Sequence, residues 1–151
     1  MGYDVIAASN DRSKYFNGNS FSLMSLQNLP DLKTDKETFN TVNLIDILWL
    51  EKGTNKVVSA FEVERSTSIY SGILRLSDLS FSFPEEQRNL FLVIPDSREK
   101  DVVFQLKRPV IKNSRLTMHY ILFSELLEHC DALCKLGDDH TIMKKIAKTI
   151  D

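Results

Sequence analysis

Three carboxylates, Asp46, Glu62 and Glu64, stand inside two otherwise apolar segments, Ile45-Asp46-Ile47-Leu48-Trp49 and Ser59-Ala60-Phe61-Glu62-Val63-Glu64. Charged side chains in such strands cost folding free energy unless they are paired or hold a cation. The segment between them, Glu51-Lys52-Gly53-Thr54-Asn55-Lys56, reads as a hairpin turn. With Gly53-Thr54-Asn55 as the loop, Lys52 faces Lys56, and counting back brings Asp46 opposite Glu62. A two-residue loop makes Phe61 the partner of Asp46 and leaves Glu62 one step away. In either register Asp46 lies close to Glu62, and the period of two sets Glu64 on the face of Glu62. Carboxylates gathered in this way suit a hard divalent cation such as Mg²⁺, with Mn²⁺ as a substitute.

The elements that must position them follow from periodicity and breakers. Tyr3 to Ala8 reads as a strand, and Ser9 to Leu32 as an excursion with little regular structure. Asp31 to Thr41 reads as a helical turn or an irregular approach. Val42 to Leu50 and Lys56 to Glu64 read as the two hairpin strands. Thr67 to about Ser80 is expected to be a helix, since Ile69, Ile73, Leu76 and Leu79 recur at helical spacing behind possible capping hydroxyls. Gly72 inside it lowers helix propensity and permits close approach to the sheet.

Asn89 to Pro95 is a continuous apolar run, expected to be a buried central strand parallel to a neighbour. A helix from Asp96 ending near Pro109, a strand from Thr117 to Phe123, and a helix from Ser124 through Leu136 stopping at Gly137 follow. A last helix is expected from about Asp139 to Thr149. The order implies an α/β fold, a central mixed sheet flanked by helices, in a single domain over 1–151. Its core is expected over 3–95, with a helical C-terminal portion over 124–150.

Composition excludes several classes. The 151 residues are 42% apolar and 26% charged, with a net charge of −2, so no global basic field draws the chain to nucleic acid or lipid. Two cysteines, Cys130 and Cys134, form no disulfide framework, and a cytoplasmic setting is the default expectation. No apolar run has the length of a membrane span, and no signal peptide is read at the N-terminus. A Ser-His-Asp order, a phosphate-binding Walker loop and a Gly-x-Gly-x-x-Gly fingerprint are all absent from the sequence.

The element order, with Asp46 on the second strand and Glu62-x-Glu64 ending the third, resembles the PD-(D/E)XK nuclease superfamily, the restriction-endonuclease-like fold. The resemblance covers Tyr3 to Pro95. In it Asp46 matches the family Asp and Glu62 the first member of the (D/E)-x-K pair, while Glu64 stands where the family usually has Lys. The segment Phe61 to Arg75 also looks like a stretch of bacterial proteins associated with restriction. What the resemblance implies is a metal-dependent DNA endonuclease of a restriction or defence system. Asp46 and Glu62, with the Val63 main-chain carbonyl, would bind Mg²⁺, and Glu64 would act as a general base or hold a second metal. DNA would be the partner, with a homodimer or larger restriction-type assembly fitting two-strand cleavage.

Other readings stay open. A non-catalytic DNA- or protein-binding module of the same fold fits the missing Lys and the acidic net charge. Purely structural carboxylates would show themselves as salt bridges from Asp46 and Glu64 to Lys or Arg. Ser68 and Arg75 on the helix after the third strand, and the basic cluster Lys107, Arg108, Lys112 and Arg115, are candidates for contacting DNA backbone, and Arg75 could also reach toward the carboxylates. Capping and solvated surface explain them as well. Asn10, Asp11 and Arg12 read best as a polar turn. His129, Cys130, Cys134 and His140 lack the usual zinc spacing.

Overall fold

A computed structural model describes residues 2–135 and 142–150. Six strands build one mixed sheet in the order β1 (Tyr3–Ala7), β4 (Ile47–Glu51), β5 (Val57–Val63), β6 (Asn89–Ile94), β7 (Met118–Leu122) and β8 (Lys148–Thr149). β1, β4 and β5 are antiparallel neighbours, β5, β6 and β7 run parallel, and β8 returns antiparallel at the far edge. A separate small ribbon joins β2 (Tyr15–Phe16) to β3 (Asn19–Ser20) and leads into a one-turn helix α1 (Phe21–Met24). The remaining helices are α2 (Lys36–Val42), α3 (Ile69–Ser82), α4 (Glu99–Leu106), α5 (Pro109–Lys112), α6 (Phe123–Lys135) and α7 (Ile142–Ile146).

The fold is therefore α/β with a mixed central sheet flanked by helices, as expected. Strand alternation splits the core between its two faces. Leu48, Leu50, Ala60, Leu90, Leu92 and Ile94 point to one face, where Val42, Ile73, Leu76 and Val102 meet them from α2, α3 and α4. Phe61, Phe91, Val93 and Ile121 point to the other, against α6 and α7. All six residues of β6 are buried, which is the condition expected of a parallel strand covered on both faces.

Three expected elements differ. Val42 to Leu50 is not one strand. Asp35 accepts a hydrogen bond from the Thr38 N–H at 2.9 Å and starts α2, which takes up Val42. Turn bonds from Leu44 and Ile45 back to Thr41 and Val42 then bring the chain round, so Asp46 sits on the bend just before β4. The helix expected to end near Pro109 ends at Leu106, and Pro109 opens α5 instead, at the first-turn position a proline tolerates. The last expected helix is only α7, after which Lys148 and Thr149 pair with Tyr120 and His119 as an edge strand. The expected stop at Gly137 and the expected start at Asp139 lie outside the described residues.

Candidate acidic site at the end of the sheet

Asp46 and the end of β5 meet through a bulged hairpin. Glu51 donates its N–H to the Lys56 carbonyl near the turn, while Ile47 pairs with Phe61 at the other end. The register shift lies between Trp49 and Leu50. Both registers read from the sequence are thus present, one at each end, and the bulge leaves Asp46 opposite Glu62. The Val63 N–H donates to Asp46 Oδ2 at 2.7 Å, which fixes the Asp46 carboxylate against the end of β5. The Ala8 N–H donates to the Asp46 carbonyl at 2.9 Å and ties β1 to the same point.

Glu62 and Glu64 share the sheet face that α3 covers, and both are fully buried. Ser68 caps α3 by accepting from the Ser71 N–H, and the apolar stripe of Ile69, Ile73, Leu76 and Leu79 draws the helix down. Gly72 is the point of closest approach. A Cβ there would lie 2.6 Å from Glu64 Oε1 and 3.2 Å from Glu62 Cβ. The Glu64 carboxylate fills the space that a side chain at this position would take.

Arg75, one turn further, turns its guanidinium back over the cluster. Nε and Nη2 each donate to Glu62 at 2.7 Å, a bidentate pair, and Nη2 reaches Glu64 Oε1 at 3.4 Å. Thr67 donates its hydroxyl to Glu64 Oε2. Arg98, from the turn after β6, donates Nη1 to the carbonyls of Glu64 and Thr67 at 2.8 and 2.9 Å and pins the bend between β5 and α3.

Burial pushes Glu62 up to about 7, against the lowering influence of Arg75. Burial likewise raises Asp46, opposed by the Val63 N–H, and Asp11 raises it further. Asp46, Glu62 and Glu64 together carry three negative charges when ionised, against one guanidinium in contact. Two charges are left uncompensated, which is the charge of a divalent cation. Oxygen-only donors suit Mg²⁺ or Mn²⁺. Arg75 takes two of the roughly four lone-pair sites on Glu62 and leaves others available.

The remaining candidates divide. Ser68 acts as the cap of α3. Arg108 lies over the Tyr70 ring at 5.0 Å, beside the first turn of α3. Lys107 and Lys112 are exposed on the α4–α5 corner and form no ion pair among the described residues. Arg12 is structural, with Nε donating to the Ala7 carbonyl at 3.1 Å and Nη1 donating to the Gln27 carbonyl. His129 faces Glu125 at 3.7 Å, and His140 lies outside the described residues. A cavity of about 430 Å³ between the hairpin turn and Arg88 lies at the opposite end of β5, and none of the three carboxylates lines it.

Sequence reasoning missed Arg98 and Lys14. Arg98 is 34 residues from the carbonyl it holds, a distance no local pattern spans. Lys14 forms an ion pair with Asp11 and lies near enough to Asp46 to lower its pKa. Its signal was obscured because the whole excursion reads as polar loop.

Fold and site together define an α/β domain that gathers a buried acidic cluster at one end of its sheet. The chain belongs to the family of the type II restriction enzyme NmeDI C-terminal domain, whose model matches residues 1–150. Neither the curated proteins nor the solved structures gave a match. The family is restriction-enzyme related, as the resemblance implies. No helix among the described residues is long and apolar enough to cross a membrane.

Proposed function

We propose that this chain is the metal-dependent DNA endonuclease domain of a restriction enzyme, a PD-(D/E)XK variant with Glu64 in the Lys position. The observation that carries the reading is the convergence of Asp46, Glu62 and Glu64 at the end of β5, with Glu62 and Glu64 beneath Gly72 and a single guanidinium to offset the cluster. A restriction-enzyme-related family supports DNA as the substrate.

Asp46 and Glu62, joined by the Val63 carbonyl, would hold Mg²⁺ or Mn²⁺. When bound, the cation supplies charge stabilisation at a phosphate oxygen and lowers the pKa of a water. Glu64, held by Thr67 and reached by Arg75, would take the proton from the attacking water as general base. Arg75 keeps the Glu62 carboxylate oriented and offsets charge that a Lys would otherwise offset. Ser68 and Arg108, beside the first turn of α3, would meet DNA phosphates, and Lys107 and Lys112 would extend that basic surface. A homodimer would present two such sites to the two strands of a duplex.

The second reading is a module that binds DNA or protein without cutting, and the bidentate Arg75–Glu62 pair favours it, since the same contact serves a purely structural role. Calorimetric titration of Mg²⁺ and Mn²⁺ into the protein and into Glu62→Ala separates the two. Binding that vanishes in the variant, with Mg²⁺-dependent nicking or cleavage of duplex DNA by the parent, supports the nuclease. Absence of binding with and without duplex moves the assignment to the binding module.

A further inference from the structure

Residues 13–19 form an exposed projection beside the acidic site. β2 and β3 pair Tyr15 with Ser20 and Phe16 with Asn19 around an Asn17-Gly18 turn. The turn places φ at 49° and 79°, the left-handed values a two-residue hairpin requires and Asn-Gly tolerates. Successive strand residues point to opposite faces, yet Tyr15 is 74% and Phe16 64% exposed. Tyr15, Phe16 and Asn19 are all exposed, and only Ser20, where the ribbon joins the body of the protein, is buried. An isolated two-stranded hairpin is marginal in water, and two bare aromatic rings at its tip make it worse.

The root of the ribbon, in contrast, is firmly held. The Ala8 N–H donates to the Asp46 carbonyl, Asp11 turns back on Ala8, and Lys14 turns back on Asp11, each by a backbone bond of 2.9–3.0 Å. Phe21 closes the ribbon onto the Lys14 carbonyl, and Arg12 braces it against Ala7 and Gln27. Two tight turns therefore separate Lys14 from the residue paired with Asp46. The Lys14 side chain is 65% exposed.

We propose that the hairpin of residues 14–20 grips the DNA duplex whose phosphodiester reaches Asp46, Glu62 and Glu64. Lys14 meets a backbone phosphate, and Tyr15 and Phe16 enter a groove and pack against sugar and base. This rests on the reading of DNA as the substrate of the acidic site. The position points to the partner, because the root of the hairpin is tied through Ala8 to Asp46, the most accessible of the three carboxylates. The chemistry fits as well. A two-stranded β-ribbon is narrow enough for the major groove, where an apolar side chain such as Phe packs against the thymine methyl. Anchored root and bare tip together describe an element stabilised by what it grips.

The test is fluorescence anisotropy with a labelled pool of mixed-sequence duplexes, in Ca²⁺ at low salt, beside calorimetry with Mg²⁺. The Tyr15→Ala/Phe16→Ala double variant should melt like the parent, bind Mg²⁺ equally, and bind duplex about tenfold or more weakly. Lys14→Ala should reduce the slope of log affinity against log salt by about one. Leu127→Ala, equally exposed on α6, should change neither. A double variant that matches a DNA-binding parent overturns the hairpin inference and leaves the nuclease reading standing. If the double variant keeps its DNA affinity but turns a dimer into a monomer by sedimentation, the ribbon is a protein interface and the inference is likewise overturned. A parent that binds no duplex in either cation fails the DNA reading itself, and the inference falls with it.

Discussion

Glu62 answers two opposing demands. Burial disfavours its charge, while Arg75 and, in the proposed function, a divalent cation both require it. Its folded pKa of about 7 lies above the 4.5 of an unperturbed glutamate, so between those values the folded state binds more protons than the unfolded one. The contribution to stability is full at low pH and is lost as pH rises through about 7, on the order of 3 kcal/mol. Cation affinity should run the other way. The Mg²⁺ dissociation constant should tighten about tenfold per unit up to about pH 7 and then level off. Calorimetry across that range checks it, and a flat profile would remove Glu62 from the ligand set.

Arg75 gives a complementary test. Arg75→Met leaves Glu62 and Glu64 buried without their counter-charge, at a cost of about 3 kcal/mol near neutral pH. For a chain of this length that corresponds to a fall of roughly 6–12 °C in Tm. Glu62 can take up a proton, so the loss should deepen as pH rises. Millimolar Mg²⁺ should restore part of it by mass action if the carboxylates form a cation site. Melting curves with and without Mg²⁺ that superimpose would mark the cluster as purely structural.

At the scale of elements, α3 is what turns two strand ends into an enclosed site, and Gly72 sets how closely it lies. Gly72→Ala adds helix propensity worth about 1 kcal/mol. The added Cβ has to displace Glu64 Oε1 and press on Glu62 Cβ, which sits on a rigid strand. The two effects nearly cancel in stability, so urea denaturation should shift by less than about 1 kcal/mol. The site has no such compensation, and Mg²⁺ affinity should drop about tenfold, equivalent to about 1.4 kcal/mol. Equal affinity in Gly72→Ala would show that the close approach is packing alone.

The role of Gly72 was legible because a glycine in a helical pattern has few explanations, and close approach is one. The β5 face was legible from alternation, and β6 from an apolar run bounded by breakers. The start of β4 was not, because Val42 and Ile45 are β-branched residues that continue the strand pattern. Only the Asp35 cap, worth about 1 kcal/mol, marked the helix that captures Val42. β8 was hidden for a different reason. Ile142, Met143, Ile146 and Ile150 keep helical spacing, whereas the exposed edge of β7 needs a partner, and pairing with Lys148 and Thr149 overrides local preference. Within the site, strand period placed Asp46, Glu62 and Glu64 together. Arg75 was within reach of the site by its place on the next helix, but its pairing with Glu62, like the roles of Arg98 and Lys14, depends on contacts between distant segments that no periodicity encodes.

On the scale of the whole molecule, the two faces of the sheet, both packed with apolar side chains, carry different groups. One face carries the acidic cluster and α3. The other carries a row of rings running from Tyr3 through Trp49, Phe61 and Phe91 to His119, with neighbouring centroids 4.8–5.5 Å apart. Phe91 is fully buried at the middle of that row, between Phe61 and the α6–α7 layer. Phe91→Ala should cost about 3–5 kcal/mol, since a ring is lost where two aromatic neighbours and close-packed helices cannot collapse to fill the space. Its side chain points away from Glu62 and shares no partner with it, and effects of such separated sites add. The variant should therefore unfold at markedly lower urea while its native form binds Mg²⁺ with parental affinity. Denaturation and calorimetry on the same sample test the separation. A drop in Mg²⁺ affinity comparable to that of Glu62→Ala would mean that the ring row positions β5 and that the two faces act as one unit.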